Sequence, residues 1–284
     1  MSSSRTGIGA SLGLAPFLVY VTLFLIIPTV IVAIGSVFVD GAFTSDALEA
    51  LVEPSMLTVT WRTVLLSLAT AVIGAVVGAL VAYVVATANP TGLLRRLVTS
   101  VCGVLAQFGG VTLAFAFIAT VGQRGFVTEW LQDNSGINIG DSLWLYSLKG
   151  LVLVYTYFQI PLMVIVFLPA LDGIRPQWRE AADNLGASNW QYWRHVGVPL
   201  LFPSFLGCTL LLFANAFAAY ATAAALVNQG SPILALQIAS ALGNEVLLGH
   251  ENVAYALALE MIVIVALVMS AYALLQRRTS AWLR

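Results

Sequence analysis

Few residues in this chain of 284 amino acids could do chemistry, and they form no catalytic set. A phosphate-binding loop needs Gly-Lys-Ser or Gly-Lys-Thr to present its lysine to the phosphates, but the one lysine, Lys149, is followed by Gly150-Leu151. The two histidines, His195 and His250, stand far apart in sequence, so they indicate no zinc or Cys-His site. Residues 9–13 fit the hydrolase pattern GxSxG by chance, because no strand precedes them. We therefore predict a protein that is not an enzyme, has no cofactor or metal of its own, and takes its energy from another subunit or an ion gradient.

Five polar side chains interrupt otherwise apolar runs, and they are the candidates for contact with a solute. A carboxylate near the centre of a bilayer costs about 2.5–3.5 kcal/mol, so we expect Glu260 to face the protein interior, a cavity or a partner. Its functional and structural roles remain equally open. For the amides, an interhelical hydrogen bond is the alternative role. The predicted substrate pathway comprises Gln107, Gln159, Asn215, Tyr220 and Glu260.

The composition predicts a membrane protein. Hydrophobic residues make up 60% of the chain and charged residues 9%, with a mean hydropathy of +0.94, whereas soluble domains carry about 25% charged residues. A helix needs roughly 20 apolar residues to cross the hydrocarbon core. We therefore predict an all-α, polytopic membrane protein, residues 1–284 forming a single domain with about six transmembrane helices. The predicted spans are 12–37, 62–87, 98–121, 150–171, 200–227 and 253–276.

Glycine and proline predict local features of these spans and of the outer loops. Pro16 and Pro28 favour a kink in the first span, which is too long for the core of a signal peptide and is predicted to stay uncleaved. The GxxxG pair Gly74 and Gly78 either lets another helix approach closely or reflects only an alanine-rich span. Two short outer helices are also predicted. One lies around 127–131 before a turn at 134–136, and the other begins at Ser231-Pro232 and ends at Gly243.

The basic residues orient the spans. With both termini in the cytoplasm, nine basic residues lie in cytoplasmic segments and three, Arg62, Arg124 and Lys149, lie in outer segments. We therefore predict a protein of the inner membrane with both termini and the loop 172–199 in the cytoplasm. The chain has no polybasic tract, so we expect the lipid bilayer, and not nucleic acid, as its surroundings. The nine cytoplasmic residues are Arg5, Arg95, Arg96, Arg175, Arg179, Arg194, Arg277, Arg278 and Arg284.

The loop 172–199 between spans four and five is predicted to contain two short helices. Pro176 can begin the first helix and Gly186 can end it, and Ser188 with Gln191 matches a capping box that would begin the second. Its small and large apolar residues suit either contact with another protein or a position on the lipid surface, where tryptophan is common.

The same loop carries a specific motif. Glu180-Ala181-Ala182 is followed by three residues, Gly186, nine residues, and then Val196-Gly197-Val198-Pro199. This stretch resembles the EAA loop of binding-protein-dependent ABC importer permeases: Glu-Ala-Ala, three residues, Gly, nine residues, Ile, one residue, Leu-Pro. Here Val196 and Val198 stand in place of the aliphatic Ile and Leu.

The resemblance, which covers about 60–270, implies a function and a set of partners. Two permease subunits, usually different in sequence, form the pathway, and each contacts one of two copies of a cytoplasmic ATPase that binds ATP and Mg. An extracytoplasmic solute-binding protein delivers the solute. In this interpretation Glu180 and its helix transmit closure of the ATPase, Gly186 permits the turn, and Pro199 starts span five. The implied ATPase-coupling residues are Glu180, Ala181, Ala182, Leu185, Gly186, Trp190, Trp193, Val196 and Pro199.

Two further segments bear on the substrate. Residues 215–222, Asn-Ala-Phe-Ala-Ala-Tyr-Ala-Thr, and the closing Gln276-Arg277-Arg278 resemble the branch that handles spermidine, putrescine and related small polar solutes, including aminoalkylphosphonates. Glu260 and the acidic outer loops suit a cation, so a polyamine is the favoured solute. However, acidic outer loops also follow from the distribution of basic residues and can simply meet the binding protein.

One alternative of another class is an ion-coupled secondary transporter that uses Glu260 as its cation site. Such carriers are typically built from paired halves with broken helices. The sequence shows no obvious broken helices in paired halves, and together with the Glu180 loop this favours the importer. An intramembrane enzyme is not indicated, because no nucleophile, base or metal set stands at one depth.

Overall fold

A computed structural model of the protein confirms the all-α prediction with six spans. Six helical stretches are long and apolar enough to cross a membrane, and the one sheet in the described residues is a two-stranded hairpin. The structure describes residues 14–39, 42–43, 46–89, 91–140, 143–227, 233–243 and 251–280. The six candidate spans are Leu14–Gly35, Pro54–Thr87, Gly110–Ser135, Leu148–Asp172, Asn189–Phe217 and Asn252–Leu274.

The first span contains a π-helical turn. Helix α1 (residues 14–21) passes through that turn, Thr22–Ile26, into α2 (Ile27–Gly35). Pro28, in the first turn of α2, has no N–H to donate to the preceding turn, which explains the local widening of the helix. A hairpin of β1 (Phe38–Val39) and β2 (Ala42–Phe43) comes next and pairs Phe38 with Phe43.

The middle of the chain contains the long spans. Span two begins at Pro54, eight residues before the predicted start, so Arg62 lies inside a helix and not in a loop. The helix predicted around 127–131 is present as Phe126–Ser135, and Gly136 ends it with a left-handed φ of 66°. These elements are α3 (Asp46–Leu51), α4 (Pro54–Thr87), α5 (Leu93–Gln107), α6 (Gly110–Val121), α7 (Phe126–Ser135), a 3-10 turn (Trp144–Tyr146) and α8 (Leu148–Asp172).

Close approach of α4 to α8 explains the GxxxG pair. A Cβ added to Gly74 would lie 2.7 Å from the Cβ of Gln159, and one added to Gly78 would lie 2.5 Å from the Cβ of Met163. Only glycine at these two positions lets the helices pack at this distance, as small residues do between membrane helices. The packing interpretation of Gly74 and Gly78 is therefore confirmed.

The remaining elements follow the loop between spans four and five. The short helix that ends at Gly243 is confirmed, but its predicted cap, Ser231-Pro232, lies outside the described residues. These elements are α9 (Pro176–Asn184), α10 (Asn189–Tyr192), a π-helical turn (Trp193–Gly197), α11 (Val198–Phe217), α12 (Ala221–Leu226), α13 (Leu234–Gly243) and α14 (Glu251–Ser280).

The chain folds into two compact units: Met1–Thr58 with Gln237–Ile264, and Val59–Leu236 with Val265–Arg284. In the first unit, the ring of Tyr255 packs against Gly35. In the second, α8 is the central helix: its buried Leu151, Val154 and Tyr155 belong to a core that also includes residues of α4, α6, α11 and α12. Both candidate sites described below lie in the second unit.

Candidate functional site

The Glu180 loop folds into the two predicted short helices. Helix α9 begins with Pro176 at its first turn, where a missing N–H leaves no hydrogen bond unmade. It ends at Asn184, and Gly186, two residues later, has a φ of 74°, in the left-handed region. The N–H of Gly186 donates to the carbonyl oxygen of Asp183 at 2.9 Å, and that of Ala187 to Ala182 at 3.0 Å. These bonds close the last turn of the helix and fix the position of α9.

The capping box at the start of α10 is confirmed. The N–H of Gln191 donates to Oγ of Ser188 at 3.3 Å, and the N–H of Ser188 donates to Oε1 of Gln191 at 2.7 Å. The turn between α9 and α10 is thereby fixed at both ends, by Gly186 on one side and by this box on the other.

Pro199 does not start span five, contrary to the prediction. The helix runs without interruption from Asn189 to Phe217 and contains the π-helical turn Trp193–Gly197 directly before α11. Pro199 lies in the first turn of α11, and the wider π turn before it accommodates the missing N–H donor. The second short helix of the Glu180 loop, α10, and span five therefore form one continuous helical element.

The loop exposes apolar side chains that no element in the described part of the chain covers. Leu185 is 87% exposed and Trp190 is 71% exposed. Glu180 and Ala181 are also exposed, whereas Ala182, Trp193 and Val196 are half-buried. The exposed members form a surface with the small alanine face beside it, which suits either a protein partner or the lipid headgroup region.

A second feature lies at the other end of span five. The predicted spans three (98–121) and five (200–227) are both interrupted in the structure: α5 ends at Gln107 and α6 begins at Gly110, which has a φ of 69°. Likewise, α11 ends at Phe217 and α12 begins at Ala221. The two breaks meet, because the hydroxyl of Thr222 donates to the carbonyl oxygen of Gly110 at 3.3 Å. The sequence showed no obvious paired breaks of this kind.

A cavity of about 270 Å³ lies between the two breaks. Among the described residues that line it, the polar side chains are Asn215, Tyr220 and Thr222, and none is a carboxylate or a cation. Helix breaks expose backbone polar groups and are tolerated at membrane depth where they line a cavity. The lining comprises Ala106, Gly109, Gly110, Phe158, Asn215, Ala218, Ala219, Tyr220, Ala221 and Thr222.

The structure brings two of the five predicted pathway residues, Asn215 and Tyr220, into this cavity. Gln107 is exposed at the end of α5 and Gln159 is fully buried; neither lines it. Nε2 of Gln159 donates to Oγ1 of Thr70 at 2.9 Å, the interhelical bond that was the alternative role. Glu260 is half-buried on α14 and is not among the described residues that line this cavity.

Sequence reasoning missed three contacts that hold these elements together. Thr222 joins the two breaks, and buried Tyr155 donates its hydroxyl to the carbonyl oxygen of Ala219 at 2.6 Å. Arg95, at the start of α5, forms an ion pair with Asp172, at the end of α8. No sequence signal indicates the two hydroxyl contacts, whereas the opposite charges of Arg95 and Asp172 on the same predicted side could have suggested their pairing.

Comparison with known families agrees with this architecture. Residues 78–281 match the family model described as "Binding-protein-dependent transport system inner membrane component". The chain belongs to this family. The matched region contains both the loop and the two breaks. Together with the six candidate spans, the match confirms the predicted multi-pass location in the inner membrane.

Several curated relatives are permease proteins of transport systems. The chain is 32% identical over 105 residues to the molybdenum transport system permease protein ModB of Escherichia coli K12, covering 37% of this chain and 44% of that protein. It is 26% identical over 217 residues to the sulfate transport system permease protein CysT of the same organism, covering 75% and 73%. The chain thus spans less than half of the length of ModB and about three quarters of the length of CysT.

Solved structures share the fold. A bacterial ABC transporter involved in import of the acidic polysaccharide alginate matches with a TM-score of 0.74 at 16% identity, covering 96% of both chains. The MetNI methionine ABC transporter, in an inward-facing conformation, matches with a TM-score of 0.59 at 19% identity, covering 80% of this chain and 98% of that one. At these identities the likeness concerns the fold alone.

Proposed function

We propose that this chain is the membrane-spanning permease subunit of an ATP-driven importer. One observation carries the proposal: a single helical element connects an exposed loop with a cavity at paired helix breaks. Helix α11 has 20 residues, which corresponds to roughly 30 Å at the helical rise. The Glu180 loop lies at its start, and the break that lines the cavity lies at its end.

In this proposal the exposed loop docks on a cytoplasmic ATPase. Leu185 and Trp190 supply apolar anchors, Ala181 lets a partner approach the backbone, and Glu180 supplies an exposed carboxylate beside them. ATP and Mg would be bound by that ATPase, two copies of which would serve this chain and a second permease. The proposal places both termini and the loop in the cytoplasm, since the basic residues favour that orientation.

Coupling then requires two states of one helical arrangement. ATP-driven closure of the ATPases would bind one state more tightly, and the difference in binding free energy would shift the permease towards it. Movement of α9 and α10 would pass directly along α11 to the break at Ala218–Tyr220. The cavity would open or close to the solute as the two breaks change their contact. An extracytoplasmic solute-binding protein would deliver the solute from the opposite side.

The proposed substrate class is a small polar solute. The cavity offers an amide, a phenol and a hydroxyl but no charged side chain, which suits hydrogen bonding in a passage that does not retain an ion strongly. A polyamine is the first solute to test, because the sequence around Asn215 favours it. Molybdate and sulfate belong in the same panel, because the relatives' names specify transport of molybdenum and sulfate.

The experiment that tests the proposal reconstitutes the chain, co-expressed with the genes beside its own, into lipid vesicles. Each panel solute is added with the binding protein, and ATP hydrolysis and uptake are measured together. We expect ATP-dependent uptake of one solute and stimulated hydrolysis. In Glu180→Ala, the protein should insert normally, but uptake per ATP should fall at least about tenfold, which corresponds to 1.4 kcal/mol. Full uptake by Glu180→Ala would contradict the docking role.

A second candidate is an ion-coupled carrier that uses Glu260, and the paired helix breaks favour it, because such breaks form the ion and substrate sites of secondary transporters. The two proposals differ in their energy source. Uptake that needs no ATPase and follows an imposed proton or sodium gradient would support the carrier. In that case Glu260→Gln should abolish the dependence on the gradient. If the importer proposal holds with a cationic solute, Glu260→Gln should weaken uptake without loss of ATPase assembly.

A further inference from the structure

A row of four side chains connects the Glu180 helix with span two. The Cζ atom of Arg179, on α9, lies 4.9 Å from the centre of the Tyr192 ring. The Tyr192 and Trp193 ring centres are 5.7 Å apart, and those of Trp193 and Tyr83 are 5.3 Å apart with planes at 85°. Tyr83 lies near the C-terminal end of α4. We call Arg179, Tyr192, Trp193 and Tyr83 the aromatic row.

The row is fixed at its α9 end. Nη1 of Arg179 donates to Oδ1 of Asn189, the first residue of α10, at 2.9 Å, and Nε lies 3.4 Å from Oδ1 of Asp183. The guanidinium therefore contacts α9, the start of α10 and the Tyr192 ring together. Tyr192 is 4% exposed, so its ring cannot follow Arg179 without moving its neighbours.

The π-helical turn positions the Trp193 ring. A Cβ added to Gly197 would overlap the six-membered ring of Trp193, so the ring lies directly over the glycine backbone. Any side chain at Gly197 would push the ring away from this position. The turn Trp193–Gly197 and the missing Cβ of Gly197 thus place the Trp193 ring against Tyr83 and not at the surface that carries Trp190.

The Tyr83–Trp193 contact is bordered by open space. Cavities of about 610, 410 and 240 Å³ each include both Tyr83 and Trp193 in their lining. The two rings are therefore in direct contact, with open space beside them, and this contact is not part of continuous packing between the loop and α4. Because open space borders the contact, removal of either ring should break the link between the loop and α4 at this point.

We propose that the aromatic row is a second coupling route, which makes span two follow the Glu180 helix when the ATPase closes. This inference rests on the proposed importer function. Trp193, Tyr83 and Gly197 are positioning residues in this route: they touch neither solute nor nucleotide. Span five follows the loop through the continuous helix, and the row adds span two to the same movement. Two of the membrane helices then change state together, as a two-state mechanism requires.

The test measures the distance between α4 and α9 in the complete complex of both permeases and the ATPases. Spin labels are attached at Val84→Cys and Gln177→Cys, both at exposed positions, after Cys102 and Cys208 are replaced by serine. The probe is MgATP with vanadate, which traps the closed ATPase and needs no solute. With the row intact, we expect the distance to change by at most about 2 Å on trapping, the size of a small helix shift.

Trp193→Leu and Tyr83→Leu should each break the row, so that α9 moves without α4 and the distance changes by about 5 Å, or one helical turn. Tyr83→Phe keeps the ring and is the matched control, which should behave as the unmodified chain. Gly197→Ala should resemble Trp193→Leu, because it displaces the ring. The double variant Tyr83→Leu, Trp193→Leu should show no more than either single change, because both remove one contact.

Several outcomes would overturn the inference. A distance that responds to trapping equally in the unmodified chain and in Trp193→Leu would show that the row carries no movement, as would additive effects in the double variant. A purely structural contact would lower the thermal unfolding temperature but leave the response to trapping unchanged. If the unmodified chain binds no ATPase, the importer proposal itself fails, which separates the two failures.

Discussion

The hydroxyl of Tyr155 donates a hydrogen bond of 2.6 Å to the carbonyl oxygen of Ala219, in the break between α11 and α12. Tyr155 is fully buried on α8, the central helix of its unit. The bond satisfies a backbone acceptor that the interrupted helix leaves without its usual partner, which matters inside a membrane protein. It therefore connects Ala219, in the lining of the cavity, with the buried core around α8.

Replacement of Tyr155 by phenylalanine should loosen this break. The ring and its packing against Phe158 remain, but the carbonyl oxygen of Ala219 loses its donor. We expect the free energy of unfolding to fall by about 1 kcal/mol, the usual worth of an interhelical hydrogen bond in a membrane. Thermal unfolding in detergent measures the change. Tyr157→Phe is the control, because Tyr157 is 38% exposed and contacts Phe117 through its ring. Equal unfolding temperatures for the two variants would contradict the prediction.

The close approach of α4 and α8 predicts that replacing two different glycines by alanine will have opposite effects on stability. In Gly78→Ala, the new Cβ would meet the Cβ of Met163 at 2.5 Å and the carbonyl oxygen of Ile160 at 2.7 Å. Overpacking of this kind lowers stability by about 1–3 kcal/mol. In Gly103→Ala, nothing lies within 4 Å of the new Cβ, so the helix should be stabilised by up to about 1 kcal/mol.

Denaturant unfolding of the purified chain in mixed micelles compares these two alanine variants directly. The unfolding midpoint of Gly78→Ala should lie below that of the unmodified chain and that of Gly103→Ala at or above it. A loss of stability in Gly103→Ala as large as that in Gly78→Ala would mean that the loss of glycine itself, and not the contact between α4 and α8, decides the result.

Local signals explain why the two short helices of the Glu180 loop were predicted correctly. Pro176, Gly186 and the Ser188–Gln191 box each act on the backbone within three or four residues, so the sequence alone specifies where α9 ends and α10 begins. The six spans follow in the same way from apolar length. Pro199 misled because a proline usually marks a helix start, whereas the π turn before it lets the helix continue.

The helix breaks depend on contacts between distant residues. Residues 218–221, Ala-Ala-Tyr-Ala, have high helix propensity, so nothing local predicts an interruption there. The bonds at this break come from Tyr155, 64 residues away, and from Thr222 to Gly110, 112 residues apart. The pair Gly109-Gly110 is a local feature that favours a break in predicted span three, but the matching break in predicted span five could be found only from the structure.

The left-handed φ of Gly186 predicts that a substitution there will strain the backbone without causing a steric clash. Its φ of 74° is unfavourable for any side chain with a branched Cβ, yet no atom lies within 4 Å of where that Cβ would stand. Gly186→Val should therefore weaken the end of α9 by about 1–2 kcal/mol. Hydrogen exchange at the amides of Gly186 and Ala187 should accelerate by roughly five- to thirty-fold.

Asparagine tolerates the left-handed region, so Gly186→Asn is the matched control for this variant and should exchange at nearly the original rate. The measurement needs neither ATPase nor solute. If valine and asparagine accelerate exchange equally, side-chain size and not the φ angle limits this position.

The exposed apolar surface of the loop predicts where an ATPase would bind. Leu185 is 87% exposed and lies directly after the Glu180 helix, so Leu185→Asp should leave the fold of the subunit intact while placing a desolvated charge in the interface. We expect the affinity for the ATPase to fall at least about tenfold, or 1.4 kcal/mol. Titration of detergent-solubilised subunit with purified ATPase measures it. Ile137→Asp, 57% exposed on the predicted outer side, is the control and should bind normally. Unchanged affinity in Leu185→Asp, combined with weaker attachment of the loop to lipid nanodiscs, would instead place this surface on the membrane.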